Sequence, residues 1–129
     1  MTQEEKELLL TDLCSRLPYD VCVHIRYKTG EPCYGKLTPR DIQWLIDSKI
    51  ENIKPYLRPM SSMTEKEKKE FLYLTNWDEN DLIDIVKYPH MYEFTISLKA
   101  FDWLNAHHFD YRGLIEKGLA LEAPEDMYK

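Results

Sequence analysis

One stretch of the chain alternates apolar and polar residues without a break: Tyr19-Asp20-Val21-Cys22-Val23-His24-Ile25-Arg26-Tyr27. Because successive side chains of a β-strand point to opposite faces, the odd-numbered positions form an apolar face and the even-numbered positions a polar one. This pattern is typical of an antiparallel sheet that packs one face on the core and leaves the other to solvent. We therefore predict a strand over residues 19–27, with Val21, Val23 and Ile25 buried and Asp20 and Arg26 exposed.

The residues around this strand predict the rest of the sheet. Residues 28–32, KTGEP, have the composition of a turn, so that residues 33–37 return as the second strand of a hairpin. A second alternating segment predicts a strand over residues 91–97. Residues 51–60 contain Pro55 and Pro59 and predict an extended connector.

Four segments carry helical signals. Thr2 with Glu5 and Thr64 with Glu67 have the spacing of a capping box, and Thr38 precedes a proline at the tolerated first helical position. We predict helices over residues 3–17, 39–49, 64–76 and 98–108, and a short helix over 109–118 that Gly118 ends. The elements predict a single α+β domain over residues 1–129, with a small, mostly antiparallel sheet covered by helices and a frayed tail at 123–129.

Length and charge exclude several classes of protein. The 129 residues include 17 Lys and Arg against 23 Asp and Glu, a net charge of −6. No apolar run approaches the ~18–20 residues that span a bilayer, and the acidic start lacks the cationic segment of a signal peptide. The three cysteines have no CxxC spacing and are expected to be reduced. We expect a cytoplasmic protein without a membrane span.

Two blocks in the second half of the chain carry a resemblance. They are residues 53–65, IKPYLRPMSSMTE, and residues 103–129, WLNAHHFDYRGLIEKGLALEAPEDMYK. Both are similar to short uncharacterised proteins of Bacteroides-type bacteria, often encoded in prophages or other mobile elements, and the likeness covers the chain from about Ile53 onward. The resemblance implies a bacterial, intracellular origin and supplies no catalytic residue.

His107, His108 and Asp110 form the densest group of potential metal ligands or general bases. Neighbouring residues on a helix point about 100° apart, so two adjacent imidazoles do not face one ion. The alternative is a helix end, where histidine favours the dipole and Asp110 caps the next segment. A metal-dependent enzyme at these residues is therefore the weakest of three functional hypotheses.

A second set of potential metal ligands spans the hairpin. Cys22 and His24 share one face of the predicted strand, and Cys33 begins the strand that pairs with it. Zinc accepts these ligand types, with Cys14 or His90 as a fourth ligand. The alternative is that the cysteines pack as small apolar side chains.

The basic stretch between residues 54 and 69 favours a small nucleic-acid-associated regulator. Its cations would contact phosphates while Tyr56 stacks on a base. Interleaved glutamates instead indicate a solvated helix face. The residues of this hypothesis are Lys54, Arg58, Lys66 and Lys69.

Our leading prediction is a non-catalytic protein-interaction or accessory module without a cofactor. The chain has no nucleophile elbow, P-loop or dinucleotide-binding glycine motif. Its aromatic residues (Trp 3, Tyr 9, Phe 4) exceed the needs of one core, and Tyr and Arg favour interfaces. The expected contact surface, for a protein partner or a second copy, consists of Tyr56, Arg58, Phe109, Tyr111 and Arg112. The alternative is that the tyrosines fasten loops to the domain.

Overall fold

The predicted α+β architecture is confirmed. The computed structural model describes residues 1–28, 30–75, 80–81 and 97–128. The helices in this part of the chain are α1 (Gln3–Arg16), α2 (Pro39–Ile46), α3 (Glu65–Thr75) and α4 (Leu98–Ala106). The strands are β1 (Cys22–Tyr27), β2 (Cys33–Lys36), β3 (Ile50–Leu57) and β4 (Leu121–Glu122). The strand predicted over 91–97 lies outside the described residues except for Ser97, which caps α4.

The sheet has the strand order β2-β1-β3-β4. β1 pairs antiparallel with β2 and β3, and β4 pairs parallel with β3 over two residues only. The predicted faces of β1 are confirmed, since Val21, Val23 and Ile25 are buried and Asp20 and Arg26 exposed. β1 begins later than predicted because residues 17–19 form a 3₁₀ turn, and Asp20 then takes a left-handed conformation with φ 56°.

The connector predicted over residues 51–60 is wrong, because β3 occupies most of it and lies inside the sheet. Leu37 N–H donates to Val21 C=O over 2.9 Å, so odd-numbered residues of β1 bond to β2 and even-numbered residues bond to β3. On β3 the bonding positions are then the even-numbered ones, and Pro55 lies between two of them. Its nitrogen faces away from β1, so the missing N–H costs that ladder nothing.

A bulge explains why the alternation of β3 is hard to recognise. The pairing of β1 with β3 shifts between Arg26 and Tyr27, so that Tyr27 lies opposite Ile50. The extra residue in β3 lets Ile50 and Ile53, three positions apart, both face the core.

The predicted helix starts are confirmed. Thr2 with Glu5 and Thr38 with Asp41 form reciprocal capping boxes. Thr64 and Glu67 exchange the same two hydrogen bonds, at 3.0 and 3.2 Å. The helices end one to three residues earlier than predicted. None of the described helices is long and apolar enough to cross a membrane.

Two apolar clusters hold the elements together. Leu9 and Leu13 of α1 and Leu45 of α2 pack with Val23 and Ile53 on one face of the sheet. A second cluster joins α3 and α4 through Phe71, Ala100 and Leu104 to Met60, Met63, Phe109 and Tyr111. The first cluster lies on the face of the sheet opposite the polar side chains of β1 and β3.

The C-terminal predictions need two corrections. Residues 109–118 form an isolated bridge at Phe109 followed by turns, and not a helix, although Gly118 has the positive φ, 75°, expected of it. The tail predicted to fray is fastened, because the Tyr128 hydroxyl accepts from Cys22 N–H over 3.0 Å and donates to Tyr56 C=O over 2.6 Å.

Candidate functional site

The predicted metal ligands His107, His108 and Asp110 each contact a different part of the protein. The His107 ring stacks on Trp103, and the His108 ring stacks on Tyr128 at a centroid distance of 3.7 Å. The Asp110 carboxylate accepts from the N–H groups of residues 114 and 115 over 2.8 and 3.0 Å. Across the described residues no three His, Cys, Asp or Glu side chains are grouped to hold a metal.

The zinc set across the hairpin is separated by the register of the strands. Cys33 lies opposite Ile25, so its side chain shares the face of Ile25. Cys22 and His24 project from the other face of β1. The three side chains therefore cannot converge on one ion.

Most of the predicted contact surface is inside the protein. Phe109 and Tyr111 have no exposed area, and Arg112 is 4% exposed. Arg112 donates to the buried carboxylate of Asp12 over 2.8 Å, and the Tyr111 hydroxyl donates to Asn105 over 2.7 Å. The prediction of a surface at these three residues is wrong because they complete a buried polar network, which agrees with the alternative that the tyrosines fasten loops.

The other two residues of that prediction, Tyr56 and Arg58, are partly exposed. Both Nη atoms of Arg58 bond to the Glu67 carboxylate, over 2.8 and 2.7 Å. The guanidinium lowers the pKa of Glu67 to about 2. Arg58 is therefore committed to an internal ion pair, and of the two only Tyr56 remains as a candidate for binding.

The four cations of the nucleic-acid hypothesis do not form one surface. Lys54 lies in β3, whereas Lys66 and Lys69 are exposed on α3. Arg58 is held by Glu67. Only Lys54 belongs to a larger group of cations and aromatic rings.

That group is the solvent-facing side of the sheet. Cross-strand neighbours point to the same face, so the register places Tyr34 beside His24, His24 beside Lys54, and Arg26 beside Asn52. None of these side chains is buried. We call this surface the open face, and it consists of Cys22, His24, Arg26, Tyr34, Lys36, Asn52, Lys54 and Tyr56.

The open face differs in charge from the rest of the chain. It carries three permanent cations, Arg26, Lys36 and Lys54, and no carboxylate, in a protein of net charge −6. Within the described ranges neither Arg26 nor Lys54 forms an ion pair, and Lys36 has only a 3.7 Å contact with Asp20, both side chains being well exposed. Such an exposed pair neutralises little charge.

Two tyrosines and a histidine provide flat apolar surfaces among these cations. Tyr34 is 73% exposed on the edge strand β2. Tyr34, His24 and Lys54 form a straight row across three strands, about 10 Å long at two interstrand spacings. The sheet therefore positions ring faces and positive charges at fixed spacing.

A cleft of about 670 Å³ continues this row past β3. Among the described residues β4 pairs with β3 only at Tyr56 and Leu57, which leaves the edge of β3 before them unpaired in this part of the chain. His24, Arg26 and Lys54 of the sheet line the cleft, and so do Lys117 to Leu119 from the segment before β4. We call it the edge cleft.

The sequence contains a signal for the open face that a count of charges along the chain misses. The even-numbered positions of β1 are polar or basic, and the same holds for positions 52, 54 and 56. They become one surface only when β3 is recognised as the neighbour of β1.

Comparison with known proteins adds no homologue: no family model, no curated protein and no solved structure matches the chain.

Proposed function

We propose that the protein is a non-catalytic module that binds single-stranded nucleic acid on the open face. The observation that carries the proposal is the composition of that face, which has three cations, a histidine and two tyrosines and no acid in an acidic chain. This is the charge complement of a polyanion, with rings for its bases. The proposal keeps the nucleic-acid hypothesis but moves it from the 54–69 stretch to the sheet.

Single-stranded nucleic acid suits this arrangement for two physical reasons. Phosphates are attracted to clustered Lys and Arg, and their counterions are released on binding, so affinity falls as salt rises. Unpaired bases stack on aromatic side chains, which contributes about 1–3 kcal/mol per base. Tyr34 provides the exposed ring. Lys36 lies two residues along the same strand, Arg26 lies diagonally across from Tyr34 on β1, and Lys54 lies two strands away beyond His24.

A protein-interaction module is the competing function, and it becomes an outcome of the same experiment. Of its five predicted residues, three are buried and Arg58 is paired with Glu67. An acidic protein partner would have to use the open face. In either case the proposal places the chain in the cytoplasm of a bacterium, as the resemblance implies.

Calorimetric titration of the purified protein with an oligothymidylate and an oligouridylate at low salt tests the proposal. Tyr34→Ala and Lys54→Gln are expected to lower affinity by about tenfold each, the scale of one lost stack or contact. Tyr73→Ala and Lys99→Gln are the matched controls, because both residues are exposed on helices away from the open face. These controls should bind as the wild type does.

Two results would overturn the proposal. The first is no binding to either oligonucleotide at low salt. The second is an equal loss of affinity in Tyr34→Ala and Tyr73→Ala, which would show that the open face has no special role. Retention of an acidic polypeptide but not of oligonucleotides would favour the protein-interaction module instead.

A further inference from the structure

The edge cleft has a chemistry that the open face lacks. Leu9, Leu119 and Leu121 give it an apolar wall, and Lys117 brings a cation from the segment just before β4. Its volume of about 670 Å³ lies within the range of small-ligand sites. A nucleotide has the matching parts, an apolar ring and a charged phosphate.

The position of Lys117 is set by the turns at residues 113–118. Its own N–H bonds to Gly113 C=O over 3.3 Å, and Gly118 continues the chain with φ 75°. The Lys117 side chain is exposed and, among the described residues, forms no ion pair. It lines the edge cleft together with Lys54 of β3.

Two carboxylates also line the edge cleft, and they limit where a phosphate is stable. Glu5 accepts a hydrogen bond from Thr2 N–H over 2.9 Å, so its charge is partly used at the start of α1. Glu51 lies at the bulge of β3, beyond Asn52. Among the described residues neither Lys54 nor Lys117 forms an ion pair, so both charges remain to attract an anion to the cleft.

We infer that a bound strand crosses the sheet from Tyr34 over His24 to Lys54 and ends in the edge cleft, where Lys54 and Lys117 hold a phosphate and the apolar wall receives the last base. The inference rests on the proposed function and adds to it a direction, a length and a terminal subsite. The row spans about 10 Å, and its members His24 and Lys54 already line the cleft, so the bound segment is short, at the low end of single-strand site sizes, about four nucleotides.

Titration with oligothymidylates of about two to eight nucleotides at several salt concentrations tests the path. Wild-type affinity should rise with length and level off at about four nucleotides. Lys117→Gln should bind about threefold to tenfold more weakly and reduce the slope of log K against log salt by about 0.7, the value for one phosphate contact on a single strand. Lys117→Gln should also abolish the increase in affinity that the wild type shows when the last of these nucleotides is added. Lys69→Gln, which changes an exposed lysine of α3, should match the wild type.

The results separate the two proposals. If Lys54→Gln weakens binding while Lys117→Gln keeps the wild-type affinity, salt slope and length dependence, the terminal subsite is wrong and the open face stands. If the wild type binds no oligonucleotide, the proposed function fails and the inference fails with it.

Discussion

Tyr128 donates its hydroxyl hydrogen to the main-chain oxygen of Tyr56, 72 residues earlier, over 2.6 Å. The hydroxyl oxygen of Tyr128 in turn accepts from Cys22 N–H over 3.0 Å. In the register of β1 and β3, the last pair is Val23 with Pro55, and the next residues along the two strands are Cys22 and Tyr56. A direct main-chain hydrogen bond between the strands would be expected at Cys22 and Tyr56. The hydroxyl therefore continues the ladder at the point where the two strands separate.

Tyr128→Phe should lower the free energy of unfolding by about 1–3 kcal/mol, because it leaves Cys22 N–H and Tyr56 C=O without their partner. Urea unfolding measures the change. Tyr73→Phe removes a hydroxyl from a side chain that is 85% exposed and should leave stability unchanged. Equal effects of the two substitutions would show that the Tyr128 hydroxyl does not hold the strands together.

The elements that local signals specify were predictable from the sequence. The alternation of residues 19–27 identified β1 and its buried face, and the threonine caps identified the starts of α1, α2 and α3. β3 was missed because Pro55 argues against a strand, and the direction of its nitrogen depends on which neighbour the strand pairs with. Strand pairing is a long-range property that local patterns do not contain.

The open face was missed for the same reason. Lys54 was a candidate on its own, but His24, Arg26 and Tyr34 join it only through the register of three strands. Conversely, Arg112 was predicted to be exposed because its partner Asp12 is about a hundred residues away in sequence. Composition indicates how many charged and aromatic residues a chain has, and the fold decides which of them reach solvent.

Asp12 binds two guanidinium groups inside the protein. Its carboxylate accepts from Arg16 Nε and Arg112 Nη1, each over 2.8 Å, and its side chain has no exposed area. Asp12→Asn should lower the free energy of unfolding by about 3–5 kcal/mol, because two buried cations lose the charge that compensates them. Thermal unfolding of Asp12→Asn beside Asp102→Asn, an exposed position on α4, measures the difference. A melting temperature within error of the control would contradict this role.

His108 should make the protein less stable in mild acid. Burial, helped by the nearby Arg16, lowers the pKa of His108 from 6.5 to about 4. Between these values the unfolded chain binds a proton that the folded protein does not, so stability falls as pH falls from about 6.5 to 4. His108→Asn, which tolerates the φ of 63°, should flatten this pH dependence in urea unfolding. The raised pKa of Asp110 changes stability with pH in the opposite direction, and it does so in wild type and variant alike. An identical pH dependence of stability in the two proteins would therefore contradict the prediction.

Glu67 should also make stability depend on pH, in a lower pH range than His108 and through its ion pair with Arg58. Arg58 and the cap of α3 hold its pKa at about 2, so the stability that its carboxylate provides is complete above pH 4.5 and is lost as pH falls towards 2. Glu67→Gln keeps an acceptor for Thr64 N–H but removes the charge that pairs with Arg58. We expect the free energy of unfolding to fall by about 1–3 kcal/mol at neutral pH, the usual range for hydrogen bonds to charged groups.

Glu65→Gln is the matched control, because Glu65 is 85% exposed in its pair with Lys68 and such pairs contribute little. Urea unfolding at pH 7 and pH 3 should show the two glutamine variants differing at pH 7 and differing by less at pH 3, where part of the contribution of Glu67 is lost. An equal loss in both variants at pH 7 would mean that the Arg58–Glu67 pair contributes no more than a surface contact.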